Sequence, residues 1–155
     1  MSGVLPNQEI EKLIEIGSIT SDVPIDPEQI QPASLDLRLS GKAVRIRASF
    51  LPGSREKVED RLKSLKMHEI DLRDGAVLEK GCVYLVPLLE ELNLSPDIQA
   101  AANAKSSTGR LDLLTRVITN SGEEFDRVSS GYCGNLYAEI CPRSFSVLVL
   151  SLIHI

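Results

Sequence analysis

The stretch Leu35-Asp36-Leu37-Arg38-Leu39-Ser40-Gly41-Lys42-Ala43-Val44-Arg45-Ile46-Arg47-Ala48 sets the architecture. Leu35, Leu37 and Leu39 recur with a period of two, and Asp36 and Arg38 take the alternate positions, the pattern of a half-buried strand. Gly41-Lys42 supplies a turn. Val44, Ile46 and Ala48 then alternate against Arg45 and Arg47, so the stretch predicts a β-hairpin. Outward from it, helical periodicity is confined to two short segments. Asn7 is placed to cap a helix that carries Ile10, Leu13 and Ile14 on one face and stops at Gly17. Residues 54–66 predict a second, exposed helix with Val58, Leu62 and Leu65 along its apolar edge. Residues 18–31, polar and Pro-containing, read as a surface connection.

The remainder is β-rich. Residues 76–78 and 82–89 predict strands joined at Lys80-Gly81, with Pro87 marking an edge or a bulge. Residues 92–98 read as a loop, and further short segments fall at 111–118, 135–140 and 146–150. There is no internal repeat and no low-complexity tract. At 155 residues and 43% hydrophobic, the chain is long enough for one domain with a real core. The predicted class is mainly β: a distorted β-barrel or jelly roll with small peripheral helices.

Net charge is −5, from 22 acidic and 17 basic residues, which argues against a duplex nucleic-acid binder with its broad basic face. A nucleotide pocket is compatible, because one Arg and a few backbone N–H groups suffice for phosphates. No apolar run reaches membrane length, and no N-terminal segment has the make-up of a secretion signal. Cys82, Cys133 and Cys141 are odd in number and unpaired in spacing, so buried structural thiols in a reduced, cytoplasmic compartment are expected. Zinc nucleobase deaminases need His-x-Glu and Pro-Cys-x-x-Cys. Here Glu69 directly follows His68 and Cys-x-x-Cys is absent, so no metal site is expected.

The densest polar cluster is Lys105-Ser106-Ser107-Thr108-Gly109-Arg110. Small hydroxyl residues and a Gly let backbone N–H groups approach phosphate oxygens, and Arg110 adds a planar charged fork. A polar turn between strands accounts for the cluster equally well, and the Walker order is absent. A second cluster runs from Asp126 through Gly131-Tyr132-Cys133-Gly134 to Leu136-Tyr137-Ala138-Glu139. Leu136, Ala138 and Ile140 share one face, which puts Glu139 beside Tyr137 on the other, toward solvent or a cleft. A solvated strand carboxylate is the ordinary fate of such a Glu.

Taken together, the segments resemble the dCTP deaminase family. Ala104-Lys105-Ser106-Ser107-Thr108-Gly109-Arg110-Leu111-Asp112 is similar to its Arg/Lys-Ser-Ser-x-x-Arg-Leu signature. Residues 30–39 resemble its early strand and Asn7-Gln8-Glu9-Ile10 its first helix. Phe125-Asp126, Gly131-Tyr132-x-Gly134 and Glu139 resemble the barrel motif shared with dUTPases. The likeness keeps its order over residues 3 to 149 and is nearest the long form, in which a related second half follows.

The resemblance implies a dUTPase-like barrel and a zinc-free hydrolysis of dCTP to dUTP and ammonia, supplying a dTTP precursor. It implies Glu139 as proton shuttle, with Ser106 and Arg110 organising water and substrate. It makes Ser107, Thr108 and Gly109 a phosphate-cradling turn helped by Lys105, Asp126 a contact on the sugar side, and Tyr137 and Ala138 flanks of the base. Mg²⁺ arrives with the triphosphate. The ligands are dCTP and dUTP, and the assembly is a trimer-like homo-oligomer whose sites form where subunits meet. The rivals are a dUTP diphosphatase, a bifunctional deaminase/dUTPase, and a non-catalytic nucleotide-binding module. Lys105 stands where many relatives have Arg, and no counterpart of the family's C-terminal closing segment is present. Residues 150–155, Leu150-Ser151-Leu152-Ile153-His154-Ile155, back-translate to CTG TCT CTT ATA CAC ATC, similar to a transposon sequencing adapter. The expectation is therefore a family domain over 1–149, cut short and inactive alone, with a foreign tail. The alternative is a genuine apolar last strand.

Overall fold

The computed structural model describes residues 3–155. Helix α1 (Asn7–Glu15) buries Ile10 against the sheet. Its cap position is Pro6 rather than Asn7, which lies inside the first turn, because a proline loses no hydrogen bond where the N–H has no helical partner. The polar stretch that follows is more ordered than expected. It contains strand β1 (Ile19–Ser21) and a 3₁₀ turn (Pro27–Gln29) closed by a capping box between Asp26 and Gln29, then β2 (Ile30–Gln31) and β3 (Ser34–Leu35).

The expected hairpin does not form. Strand β4 (Lys42–Ile46) pairs with β5 (Lys66–Asp71), across the helix α2 (Val58–Leu65), and with β7 (Val83–Asn93). Leu39 makes only an isolated bridge, to Leu88. Alternation placed Val44 and Ile46 inward correctly, but a period of two does not name a partner strand. β5 escaped sequence reading because Lys66-Met67-His68-Glu69 is exposed on an edge and offers no apolar face. β6 (Ala76–Leu78) likewise pairs away from its neighbour, with β12 (Val147–Val149). The remaining elements are β8 (Ala100–Ala101), helix α3 (Ser106–Arg110), β9 (Leu113–Thr119), β10 (Arg127–Val128) and β11 (Cys133–Pro142). β8 pairs with β10.

The main sheet is antiparallel, in the order β5-β4-β7-β11-β9, with β1 also on β7. β7 extends through Asn93, so the segment expected as a loop from residue 92 is partly strand. Pro87 sits opposite Tyr137, where the β7–β11 register shifts. That is the bulge a proline permits inside a central strand.

Both faces of the sheet are covered. A larger core contains Leu39, Leu72, Tyr84, Val86, Val117, Leu136, Ala138 and Ile140. A smaller one contains Val44, Ile46, Phe50, Val58, Leu85, Ile118 and Tyr137. Hence the odd and even side chains of β11 are both buried from Leu136 to Pro142. At the start of β11, Gly131 and Gly134 have positive φ values of 68° and 147°. A Cβ on Gly134 would crowd the Tyr132 hydroxyl at 3.2 Å. That hydroxyl donates to Asn135 O at 2.6 Å and accepts from Asn120 N at 3.0 Å. The turn thereby fixes where β11 begins.

One charged network is wholly internal. Glu90 is 0% exposed and Arg38 4% exposed. Arg38 Nε donates to Glu90 Oε1 at 2.8 Å, and Arg38 N to Oε2 at 2.8 Å. Gln29 Nε2 donates to the same Oε1 at 2.9 Å, while the Arg38 η nitrogens reach Pro24 O, Val23 O and Ser21 Oγ. This knot pins residues 21–29 to β7, and it corrects the expectation that Arg38 faces solvent. At the other end of the chain, Leu152 N donates to Leu39 O at 2.9 Å and Ile155 N to Leu37 O at 3.0 Å, so the last residues lie along 37–39. The thiols differ from one another: Cys141 is buried, Cys82 is intermediate, and Cys133, at the turn into β11, is exposed rather than buried as expected.

Candidate active site

Glu139 lies in the middle of β11 and is only 2% exposed. It does not face open solvent, because the smaller core covers the face it shares with Tyr137. Directly across the ladder stands Arg116 of β9. Arg116 Nη2 donates to Glu139 Oε1 at 2.6 Å and to Ser49 Oγ at 3.0 Å. Its guanidinium carbon lies 3.8 Å from the centroid of the Phe125 ring, a cation–π contact. Glu139 Oε2 and Arg116 Nε are both buried without a hydrogen-bond partner among the described residues. A free buried acceptor beside a free buried donor is an arrangement that a polar ligand or water can complete.

The other expected residues are distributed more widely. Ser106, Ser107, Gly109 and Arg110 form the exposed part of α3, while Thr108 is buried, leaving only its backbone for a ligand. Neither Ser106 nor Arg110 hydrogen-bonds Glu139 within the chain; the carboxylate's cation is Arg116. Lys105 is not free for phosphate. Its Nζ pairs with Asp36 Oδ2, and His154 Nδ1 lies 3.6 Å from the same oxygen.

Asp126 adopts φ 61°, unusual for a residue with a side chain. Its Oδ1 accepts from Val117 N at 2.7 Å, so part of the carboxylate holds the backbone next to Arg116. Tyr137 and Ala138 have their side chains in the two cores. Burial, with Glu59 nearby, pushes the Tyr137 phenol up to about 12. Sequence reasoning missed Arg116 and Ser49, and quoted Phe125 only within the barrel motif, without its contact to Arg116. A basic residue two before buried Ile118, on the same face of β9, was the available sign for Arg116.

Among the described residues, no group of three or more His, Cys, Asp and Glu side chains could hold a metal ion. No helix among them is long and apolar enough to cross a membrane.

Comparison with known proteins places this arrangement. The chain superposes on the crystal structure of 2'-deoxycytidine 5'-triphosphate deaminase from Agrobacterium tumefaciens with a TM-score of 0.95 and 51% identity, covering 98% of this chain and 45% of that one. The fold is therefore dUTPase-like and mainly β, as the sequence predicted. The chain is 34% identical over 112 residues to "dCTP deaminase, dUMP-forming" of Tropheryma whipplei (strain Twist), covering 72% of this chain and 56% of the relative. It is 30% identical over 139 residues to the protein of the same description from Methanothermobacter thermautotrophicus, covering 88% and 67%. Residues 1–153 match the family described as the 2'-deoxycytidine 5'-triphosphate deaminase (DCD) N-terminal domain. The chain belongs to that family. It spans about half the length of the Tropheryma and Agrobacterium proteins it matches.

Proposed function

We propose that this domain carries hydrolytic deamination of dCTP at C4, giving dUTP and ammonia, with Glu139 as the proton shuttle. The observation that supports it best is the buried carboxylate with one oxygen tied to Arg116 and the other free. In this reading Glu139 takes a proton from water as the water oxygen bonds to C4, and passes it to N3. It then takes the proton of the new C4 hydroxyl and delivers it to the departing amino group, so that the C4–N bond breaks, the C4 carbonyl forms and ammonia leaves. One positioned carboxylate can perform these transfers in sequence. Ser106 and Arg110 organise water and substrate, Ser107, Thr108 and Gly109 cradle phosphate with Lys105, Asp126 contacts the sugar, and Tyr137 and Ala138 border the base. Because α3 makes no hydrogen bond to Glu139 within one chain, a site completed by a second copy in a trimer-like assembly fits best. Lys105 would have to leave Asp36 to reach phosphate.

The test is ammonia release and product analysis with the full-length gene product, supplied with dCTP and with dUTP. Equal ammonia and dUTP are expected. Nucleotide bound without ammonia would end the deaminase reading and favour a binding module. A second reading, continuation to dUMP, is favoured by the description of the Tropheryma and Methanothermobacter relatives as dUMP-forming. It predicts dUMP and pyrophosphate in the same assay.

Mg²⁺ enters this reading with the triphosphate, neutralising charge and taking no part in the deamination. Elemental analysis is expected to find no stoichiometric zinc, and EDTA to inhibit only by stripping Mg²⁺ from the nucleotide. One zinc per chain, needed for turnover, would overturn the metal-free mechanism.

A further inference from the structure

We infer that Arg116 is a positioning residue for Glu139: it commits Oε1 and leaves Oε2 as the single oxygen through which protons move. The inference rests on the reading of Glu139 as proton shuttle and adds to it the device that aims the carboxylate. Arg116 and Glu139 are register partners on β9 and β11, so their backbones are fixed relative to one another by the ladder. The guanidinium is then held from three sides: by Glu139 Oε1 at 2.6 Å, by Ser49 Oγ at 3.0 Å, and by the Phe125 face at 3.8 Å.

A guanidinium facing a carboxylate can bind both oxygens with two parallel N–H groups. Here it binds one. Nε and Oε2 are both buried and unpartnered, an expensive state for a donor and an acceptor unless the site uses them. Ser49 and Phe125 account for the incomplete pairing. They hold the guanidinium where Nη2 reaches Oε1 and Nε does not reach Oε2. A symmetric pair would lock both oxygens and immobilise the proton acceptor. The single bond instead fixes the rotamer of Glu139 while keeping one oxygen available.

The experiment compares Arg116→Gln and Arg116→Lys with wild type in the full-length gene product. Arg116→Gln is expected to lower kcat at least about 10²-fold, the cost of misplacing a reacting group, with KM for dCTP changed less than about fivefold. Arg116→Lys keeps the charge and loses the fork, and should recover at least about tenfold of that loss. Wild-type kcat in Arg116→Gln, or no recovery in a folded Arg116→Lys, overturns the inference. A second readout needs neither turnover nor an Arg116 variant. In wild type, the bond to Oε1 should stop rotation about Nε–Cζ, so that the two Arg116 η nitrogens give separate NMR resonances, merging in Glu139→Ala, which removes the acceptor. Merged resonances in wild type overturn the inference. If wild type binds nucleotide but releases no ammonia, the deaminase reading fails, and the nitrogen spectrum still decides whether Arg116 holds Glu139.

Discussion

Glu139→Gln is expected to lower kcat for dCTP by about 10²-fold to 10⁴-fold in the full-length gene product, the range for loss of a general acid–base group. Nucleotide affinity should stay within a few-fold of wild type. Glutamine fills the same volume, which matters at a side chain 2% exposed inside a covered sheet. Its amide oxygen can still accept from Arg116 Nη2, so the packing around Ser49 and Phe125 has no reason to rearrange. What is lost is the capacity of Oε2 to gain and release a proton. Steady-state kinetics and nucleotide binding by calorimetry check both halves, with thermal unfolding as the control for folding. A variant with wild-type kcat would show that Glu139 is a buried structural acid.

The largest expected effect on stability lies elsewhere, in the Arg38–Glu90 knot. Arg38→Ala leaves Glu90, 0% exposed, with Gln29 Nε2 and a backbone N–H as its remaining partners among the described residues. Breaking one side of a buried pair costs about 3–5 kcal/mol, against total stabilities of about 5–15 kcal/mol for ordinary domains. The loss should appear as a lowered urea midpoint. Glu90→Gln in the Arg38→Ala background should recover part of it, because a neutral amide tolerates burial without a counter-charge. A change below about 1 kcal/mol in Arg38→Ala would mean that the network is solvated more than its geometry implies.

How far the sequence was legible depended on whether a property is local. The helices around Ile10 and Val58, the strand at 135–140 and the irregularity at Pro87 are written in nearest-neighbour patterns, and all four are present. Pairing is not local. Val44 and Ile46 were correctly read as inward, yet their partners lie in segments separated from them by a helix and a turn. Family likeness was legible because Lys105 to Arg110 and Gly131 to Glu139 keep their order along the chain, and the match over residues 1–153 agrees.

The environment of Glu139 was not legible. Alternation assumes that one face of a strand is wet, and in β11 neither is. The same assumption misplaced Arg38 and hid Arg116. A hint existed at Glu90, which falls in phase with Leu88 and Leu92 on an apolar face. An acid in phase with leucines demands a buried cation, and Arg38 answers it.

The central position of β11 also separates the proposed site into parts that move on different clocks. The amide of Glu139 lies in a central strand, laddered to β7 on one edge and β9 on the other, and it meets solvent only when the sheet opens around it. Such openings approach the free energy of global unfolding, while exposed single turns open at almost no cost. Ser106 to Arg110 are of the second kind, a five-residue helix with most of its side chains in water. The carboxylate is therefore a permanent fixture, present before any ligand arrives. Ser106 to Arg110 sit on a short segment that opens locally at far lower cost.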